Sequence, residues 1–129
     1  MTTLPETKAC KVNIENEWLT ISFNQPEKRN ALTSELTDDI KNIFDAARDD
    51  LGVRGVTMRG EGGIFCAGGD LKMFKTGFQG GEQGMKDVEE ASALTGAFFD
   101  MINSYPKPVV MLAEGAAMAG GLGMLCAGD

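Results

Sequence analysis

The sequence predicts an α/β protein in which strands and helices alternate along the chain. Short runs of β-favouring residues recur, segments with apolar residues at helical spacing separate them, and glycine-rich turns follow two of the strands. The chain has 129 residues, of which 43% are hydrophobic and 24% charged, as in one ordinary globular domain. The order β-β-α-β, loop, α, β, loop predicts strand–helix units wound in a right-handed superhelix.

The first predicted elements are a hairpin and an amphipathic helix. Residues 9–14 and 18–23 are rich in β-favouring side chains on either side of a polar tripeptide, which predicts a hairpin that ends before Pro26. From residue 33 to residue 50 the apolar side chains recur at helical spacing, with acidic residues early in the segment. The apolar face of this predicted helix contains Leu36, Ile40, Ile43, Phe44 and Ala47.

The second half of the chain repeats this alternation. Residues 53–58 predict a short buried strand, and residues 70–74 predict a helical turn. Residues 76–84 contain four glycines and predict a flexible surface segment. A helix is predicted over residues 82–105, where two prolines end it, and a strand over residues 109–113.

Two glycine-rich loops, residues 62–70 and 114–123, are the best candidates for a functional site. A glycine turn lets backbone approach a ligand closely, and free N–H groups at the start of a helix favour negative charge. Two such loops can hold one oxyanion between them. For either loop alone, a tight strand-to-helix turn without a ligand is the better interpretation.

A third segment, residues 24–32 with the sequence NQPEKRNAL, precedes these loops and carries two adjacent basic residues. The three segments, in this order, resemble the signature motifs of the crotonase family, the enoyl-CoA hydratase/isomerase superfamily. The resemblance covers nearly all of the chain but only the first half of the family's domain. It implies that residues 1–129 form a single partial crotonase-like domain, a truncated superhelix of repeated β-β-α units.

The resemblance implies an acyl-CoA thioester substrate, with a place in fatty acid metabolism. Its carbonyl oxygen would be bound in an oxyanion hole formed by the backbone N–H groups of Gly69 and Gly120. Lys28 and Arg29 would reach the CoA phosphates, although a solvated turn charge is an equally good interpretation of either residue alone. The full set of implied substrate-binding residues is Lys28, Arg29, Ala31, Ala67, Gly68, Asp70, Leu71, Met73 and Gly121.

The chain departs from the family's hydratase pattern at position 123, where hydratases carry a glutamate and this chain has glycine. Isomerase-type and dehalogenase-type relatives share this feature. We therefore expect the intact parent to isomerise an enoyl-CoA, or to hydrate it with unusual acid/base groups. The alternative is a non-catalytic CoA-thioester-binding or interaction module. Asp70 and Glu114 lie beside the two loops, but a helix cap and a turn position explain them better than catalysis.

Composition excludes several other classes of protein. A net charge of -7 argues against a nucleic-acid-binding protein, and no apolar run approaches the ~20 residues that span a bilayer. Three widely spaced cysteines indicate neither a disulfide framework nor a zinc site, and with the polar N-terminus they favour a cytoplasmic protein. The family resemblance implies no metal, no cofactor beyond the CoA moiety of the substrate, and a homo-oligomer, either trimer or hexamer.

Overall fold

The computed structural model of the protein describes residues 3–129. Its strands are β1 (Cys10–Glu15), β2 (Trp18–Phe23), β3 (Gly55–Gly60), β4 (Ile64–Cys66), β5 (Val109–Leu112) and β6 (Ala116–Ala117). Its α-helices are α1 (Ser34–Ala47), α2 (Leu71–Gln79), α3 (Gly81–Asn103) and α4 (Gly120–Ala127), and a single 3-10 turn covers Pro26–Lys28.

The described strands form two sheets. The larger has the order β1-β2-β3-β5, in which β1 and β2 are antiparallel and the other pairs are parallel. The smaller sheet pairs β4 with β6 in parallel. Each β-β pair along the chain is followed by a helical segment, so the predicted α/β superhelix of β-β-α units is confirmed.

The predicted hairpin is present, and its turn has the geometry that a two-residue connection needs. Asn16 and Glu17 have φ values of 53° and 63°, and Glu15 pairs with Trp18 across the turn. Positive φ at both central residues is the type I′ arrangement, which matches the right-handed twist of the strands. The indole N–H of Trp18 donates to the hydroxyl of Thr57 at 2.8 Å, which ties the hairpin to β3.

Helix α1 begins and packs as the sequence predicts. The hydroxyl of Thr33 accepts a hydrogen bond from the backbone N–H of Leu36 at 3.2 Å, which caps the helix. All of the predicted apolar positions on this helix are buried. Asp39 is buried too, and its carboxylate accepts from the backbone N–H groups of Lys8 and Ala9, so it holds the start of β1 against the helix.

Residues 76–84 lie at the surface as predicted, but the prediction that they form a flexible segment is wrong, because all of them except Gly80 are helical. Helix α2 continues to Gln79 and α3 starts at Gly81, with Gly80 between them. A Cβ on Gly84 would collide with the carbonyl oxygen of Gly77, and a Cβ on Gly77 would collide with Val88. These glycines allow the two helices to pack closely, which glycine composition alone does not distinguish from flexibility.

The other differences from prediction are small. Helix α1 ends at Ala47, three residues before the predicted end. Strand β3 starts and ends two residues later than the predicted residues 53–58. Strands β4 and β6 lie inside the two glycine loops and are too short to show an alternating pattern. Within residues 3–129, none of the helices combines the length and the hydropathy that crossing a bilayer requires.

Candidate functional site

The two glycine loops meet in the folded chain. A Cβ built on Gly68, whose φ is +104°, would lie 2.8 Å from the carbonyl oxygen of Met118 and 3.3 Å from the nitrogen of Gly120. A Cβ built on Gly120 would lie 3.8 Å from the nitrogen of Gly69. The two backbones therefore approach each other at a distance that a side chain on Gly68 would prevent.

The N–H groups of Gly69 and Gly120 have no hydrogen-bond acceptor among residues 3–129. Gly120 is the first residue of α4, where the helix carries its partial positive charge. Ala119, immediately before it, has φ 50° and ψ -119°, a strained conformation for a residue with a side chain. Strain of this kind persists when the surrounding structure enforces it and is concentrated at functional sites.

Both unpaired donors border one cavity, which we call the inner cavity. Its volume is about 260 Å³. Its lining residues are Leu32, Gly69, Asp70, Met73, Phe74, Ala91, Ser92, Thr95, Ala119 and Gly120. Asp70 is the one carboxylate among them, so the cavity combines apolar walls with two backbone donors and a single acid.

A second, larger cavity adjoins it through Gly69 and Asp70, and we call it the outer cavity. Its volume is about 520 Å³. Its lining residues are Lys28, Arg29, Ala31, Thr33, Ala67, Gly69, Asp70, Leu71, Lys72 and Met118. Three of these side chains are cationic and one is anionic, so the outer cavity is locally basic on a chain whose net charge is -7.

Backbone hydrogen bonds join the basic loop to the first glycine loop. The N–H of Ala67 donates to the carbonyl oxygen of Arg29 at 3.0 Å, and the N–H of Leu32 donates to that of Gly68 at 2.8 Å. The side chains of Lys28 and Arg29 are exposed and form no ion pair within the described residues. Within the described residues the basic side chains thus form no ion pair, while the backbone that carries them is fixed to the first glycine loop.

The structure brings most of the predicted site residues together. Those on the outer cavity are Lys28, Arg29, Ala31, Ala67, Gly69, Asp70 and Leu71, and those on the inner cavity are Gly69, Asp70, Met73 and Gly120. Gly68 and Gly121 line neither cavity and are buried. A Cβ on Gly121 would collide with the carbonyl oxygen of Cys66, so the structure gives both glycines a packing role beneath the cavities.

The carboxylates near the loops have local structural partners. The carboxylate of Asp70 accepts from the N–H of Met73 at 3.3 Å and caps α2, as the sequence analysis favoured. Glu114 is exposed and lines neither cavity. The carboxylate of Asp129 accepts from the N–H of Val109 at 2.8 Å, which holds the end of the described chain to β5.

Gly123 lies against an aromatic ring. A Cβ built there would come within 2.9 Å of Cε2 and 3.4 Å of Cζ of Phe99. The ring of Phe99 therefore occupies the space into which a side chain at position 123 would project. Gly123 therefore has no carboxylate, and the ring of Phe99 lies where a side chain at this position would begin.

Sequence reasoning missed the role of Asn30, which is fully buried. Its Nδ2 donates to the carbonyl oxygens of Glu61 and Ile64 at 3.1 and 3.0 Å, and its Oδ1 accepts from the N–H of Gln25 at 2.9 Å. Its φ is 52°, a conformation that asparagine tolerates better than most residues. One side chain thus joins both ends of the basic loop to the segment that leads into β4. The sequence did contain one signal for this role, because asparagine side chains in turns commonly form hydrogen bonds with nearby backbone.

Burial controls the chemistry of two of the three thiols. It raises the pKa of Cys66 above the ordinary 9.0, against a smaller lowering effect of a hydrogen bond from the Gly68 backbone. Burial, together with the negative charge of Asp39, raises the pKa of Cys10 to about 12. Cys126 is exposed. Residues 3–129 contain no group of three or more His, Cys, Asp or Glu side chains that could hold a metal ion.

The sequence model of the enoyl-CoA hydratase/isomerase family matches residues 18–129. The chain belongs to this family. A family relative in Bacillus subtilis, named probable enoyl-CoA hydratase, is 37% identical over 93 residues, which are 72% of this chain and 34% of the relative. One in Thermus thermophilus, also with enoyl-CoA hydratase in its name, is 34% identical over 119 residues, 92% of this chain and 46% of the relative. The chain spans half or less of the length of these curated relatives.

Solved structures share the fold of this chain. AtuE of Pseudomonas aeruginosa superposes with a TM-score of 0.82 at 30% identity, over 95% of this chain and 46% of AtuE. An enoyl-CoA hydratase from Polaromonas gives a TM-score of 0.82 at 32% identity, again over 95% of this chain and 46% of its own. The crotonase fold is therefore confirmed, and residues 3–129 correspond to a little under half of it.

Proposed function

We propose that this protein binds an acyl-CoA thioester and that, within a complete domain, the N–H groups of Gly69 and Gly120 stabilise the thioester enolate. The observation that carries the proposal is the pair of unpaired backbone donors on one cavity. An enolate concentrates its negative charge on one oxygen. Donors that are already in place for that charge contribute several kcal/mol to catalysis, since nothing must reorganise as the charge develops.

The CoA moiety would occupy the outer cavity. Lys28, Arg29 and Lys72 supply positive charge there, and CoA carries its negative charge on phosphates. The outer and inner cavities meet at Gly69 and Asp70, so a ligand with its phosphates at the basic loop can place a thioester beside the two donors. No cofactor beyond the CoA of the substrate enters this proposal, and the homo-oligomer and the cytoplasmic location stay predictions.

Within the family, double-bond isomerisation through the enolate is the reaction we favour for the intact protein. Hydration of an enoyl-CoA needs a group that activates water, and Phe99 fills the place next to Gly123 where hydratases carry a glutamate. Asp70 is the one carboxylate on the inner cavity within residues 3–129, and it already caps α2. The proton-transfer groups would therefore come from outside the described residues.

The second candidate is a CoA-thioester-binding or interaction module without catalysis. The same observation favours it, because the described inner cavity contains two donors but no free acid or base. The two candidates predict the same binding and differ only in turnover.

Calorimetric titration with crotonyl-CoA and with free CoA tests the proposal, run beside a spectrophotometric assay of enoyl-CoA turnover. We expect crotonyl-CoA to bind more tightly than free CoA, since only the thioester reaches the two donors. Binding with turnover supports the enzyme, whereas binding without turnover supports the module. If crotonyl-CoA bound no more tightly than free CoA, the assignment of the inner cavity would be wrong.

Two variants of Gly120 test whether its N–H group contributes to binding. Gly120→Pro removes the N–H at the first position of a helix, where proline is tolerated, and Gly120→Ala adds a Cβ but keeps the N–H. Both place a Cβ about 3.0 Å from Cδ1 of Leu32, so they share that contact, while the proline ring also fills the space of the N–H and restricts Ala119, and thermal unfolding of both variants measures that additional effect. We expect Gly120→Pro to weaken crotonyl-CoA binding roughly three- to tenfold more than Gly120→Ala. Equal affinities of the two variants would remove Gly120 from the oxyanion site.

A further inference from the structure

A third cavity, which we call the distal groove, continues from the inner cavity and lies between α1 and α3. Its volume is about 190 Å³. Its lining residues are Leu32, Ser34, Thr37, Asp38, Lys41, Met73, Ala91, Leu94, Thr95 and Phe98. Leu32, Met73, Ala91 and Thr95 also line the inner cavity, so the two spaces share a wall and a junction.

Two helix faces form the sides of the distal groove. On α1 the lining residues from Ser34 to Lys41 follow the spacing of one helical face, and on α3 those from Ala91 to Phe98 do the same. At 1.5 Å of rise per residue, the α1 side extends for about 10 Å. The groove is therefore elongated, with one end at the junction with the inner cavity.

The two sides of the groove differ in chemistry. The α3 side is mostly apolar and includes Leu94, which is 60% exposed although it is a large hydrophobic residue. The α1 side carries hydroxyl groups and two charges. An apolar ligand that covered Leu94 would remove this surface from water, and its end would then meet the polar side chains of α1.

Lys41 is the group on α1 with unused capacity to bind a ligand. It is half-buried, and its ammonium group forms no ion pair with any residue in the described chain. Asp38, one turn earlier, is exposed and lies beyond ion-pair distance of Lys41. An ammonium group that lines a groove and forms no ion pair can bind a hydrogen-bond acceptor, above all an anionic one.

We propose that the distal groove binds the far end of the acyl chain and selects acyl groups that end in a carboxylate over those that end in a methyl group. This inference rests on the proposed function, because it assumes that the thioester lies at Gly69 and Gly120. The groove would then make the protein specific for ω-carboxylated acyl-CoA of medium chain length. Crotonyl-CoA, whose acyl group has only four carbons, is the short-chain comparison.

The test compares the affinities of crotonyl-CoA, octanoyl-CoA and the ω-carboxylated acyl-CoA of the same length as octanoyl-CoA. We expect octanoyl-CoA to bind on the order of tenfold more tightly than crotonyl-CoA, since its added methylene groups cover apolar surface. We expect the ω-carboxylated ligand to bind about fivefold more tightly than octanoyl-CoA, the gain typical of a partly exposed charge pair.

Three lysine variants identify the group that binds the carboxylate. Lys41→Met keeps most of the length of the side chain but removes its charge, and it should abolish the preference for the ω-carboxylated ligand over octanoyl-CoA. Lys11→Met, at an exposed position on β1, is the matched control and should leave that preference intact. Lys41→Arg keeps the charge and should retain most of the preference.

The outcomes separate this inference from the proposed function. If crotonyl-CoA binds no better than free CoA, the proposed function fails and the groove has no acyl chain to bind. If crotonyl-CoA binds but octanoyl-CoA is no tighter, or if the ω-carboxylate weakens binding, the inference about the groove alone is overturned. A preference that survives in Lys41→Met overturns the role of Lys41.

Discussion

The ring of Phe99 on α3 lies against Gly123 on α4, and a Cβ built on Gly123 would come within 2.9 Å of the ring. The contact joins two helices that are separate in sequence, at the position where the sequence analysis expects a glutamate in a hydratase. A glutamate substituted at position 123 would therefore meet the ring. The absence of a side chain at Gly123 and the position of the Phe99 ring depend on each other.

We expect Gly123→Glu to cost more stability in the native sequence than in a Phe99→Ala background. The reason is that the ring must move to admit the new side chain, whereas the truncated residue leaves room for it. A double-mutant cycle measured by urea unfolding should give a coupling free energy of about 1 kcal/mol. As a control, Ala46→Glu on the exposed face of α1 should be additive with Phe99→Ala. Additive effects at positions 99 and 123 would contradict the packing described.

Asn30→Ala should destabilise the fold by about 2–3 kcal/mol, because it leaves a buried N–H and two carbonyl oxygens without their partner. The free energy of unfolding in urea measures this loss. Asn13→Ala, at an exposed position on β1, is the control and should change stability by less than about 0.5 kcal/mol. Similar small losses in both variants would mean that the three hydrogen bonds of Asn30 add little to the fold.

Gly68→Ala should be more damaging than Gly63→Ala, although both glycines have positive φ. At Gly63, with φ +76°, a Cβ would meet nothing within 4 Å, so the variant reports only the backbone cost of about 1–2 kcal/mol. At Gly68 the Cβ would also press against the carbonyl oxygen of Met118. We expect an additional loss of at least about 1 kcal/mol in thermal or urea unfolding. An equal loss at both positions would show that the two loops do not meet as described.

Stability should fall as the pH rises from about 9 towards 12, in part because of Cys10. Burial and Asp39 raise the pKa of this thiol from 9.0 to about 12, so above pH 9 the unfolded chain releases a proton that the folded chain retains. One such group changes the free energy of unfolding by about 1.4 kcal/mol per pH unit. Tyr105, whose pKa burial raises to about 12 from 10.0, adds a similar effect at higher pH.

Cys10→Ser should therefore show a shallower loss of stability than the native sequence between about pH 9 and about pH 10.5. Unfolding curves in urea at several pH values measure the slope. Cys126→Ser replaces an exposed thiol and should leave the slope unchanged. Parallel slopes for Cys10→Ser and the native sequence would mean that Cys10 ionises as easily in the folded chain as in the unfolded one.

The candidate site was predictable where it depends on short motifs. The two glycine loops and the basic loop are contiguous in sequence, and most of their named residues line the two joined cavities. The contribution of α3 to the inner cavity was not predictable. Ala91, Ser92 and Thr95 are ordinary residues of a helix, and only the packing of that helix brings them next to Gly120.

The sequence by itself determined the α/β class, the hairpin, the amphipathic helix α1 and the positions of the two glycine loops. Each of these depends on local features: the period of the apolar residues, the capping and turn residues, and the freedom of glycine at positive φ. Only the tertiary structure decided that the glycines of residues 76–84 pack two helices together, that Phe99 fills the space beside Gly123, and that Asn30 joins the basic loop to the segment that leads into β4. The physical reason is that close packing and buried hydrogen bonds depend on which atoms meet across the fold, and residues distant in sequence carry no local signal of their future neighbours.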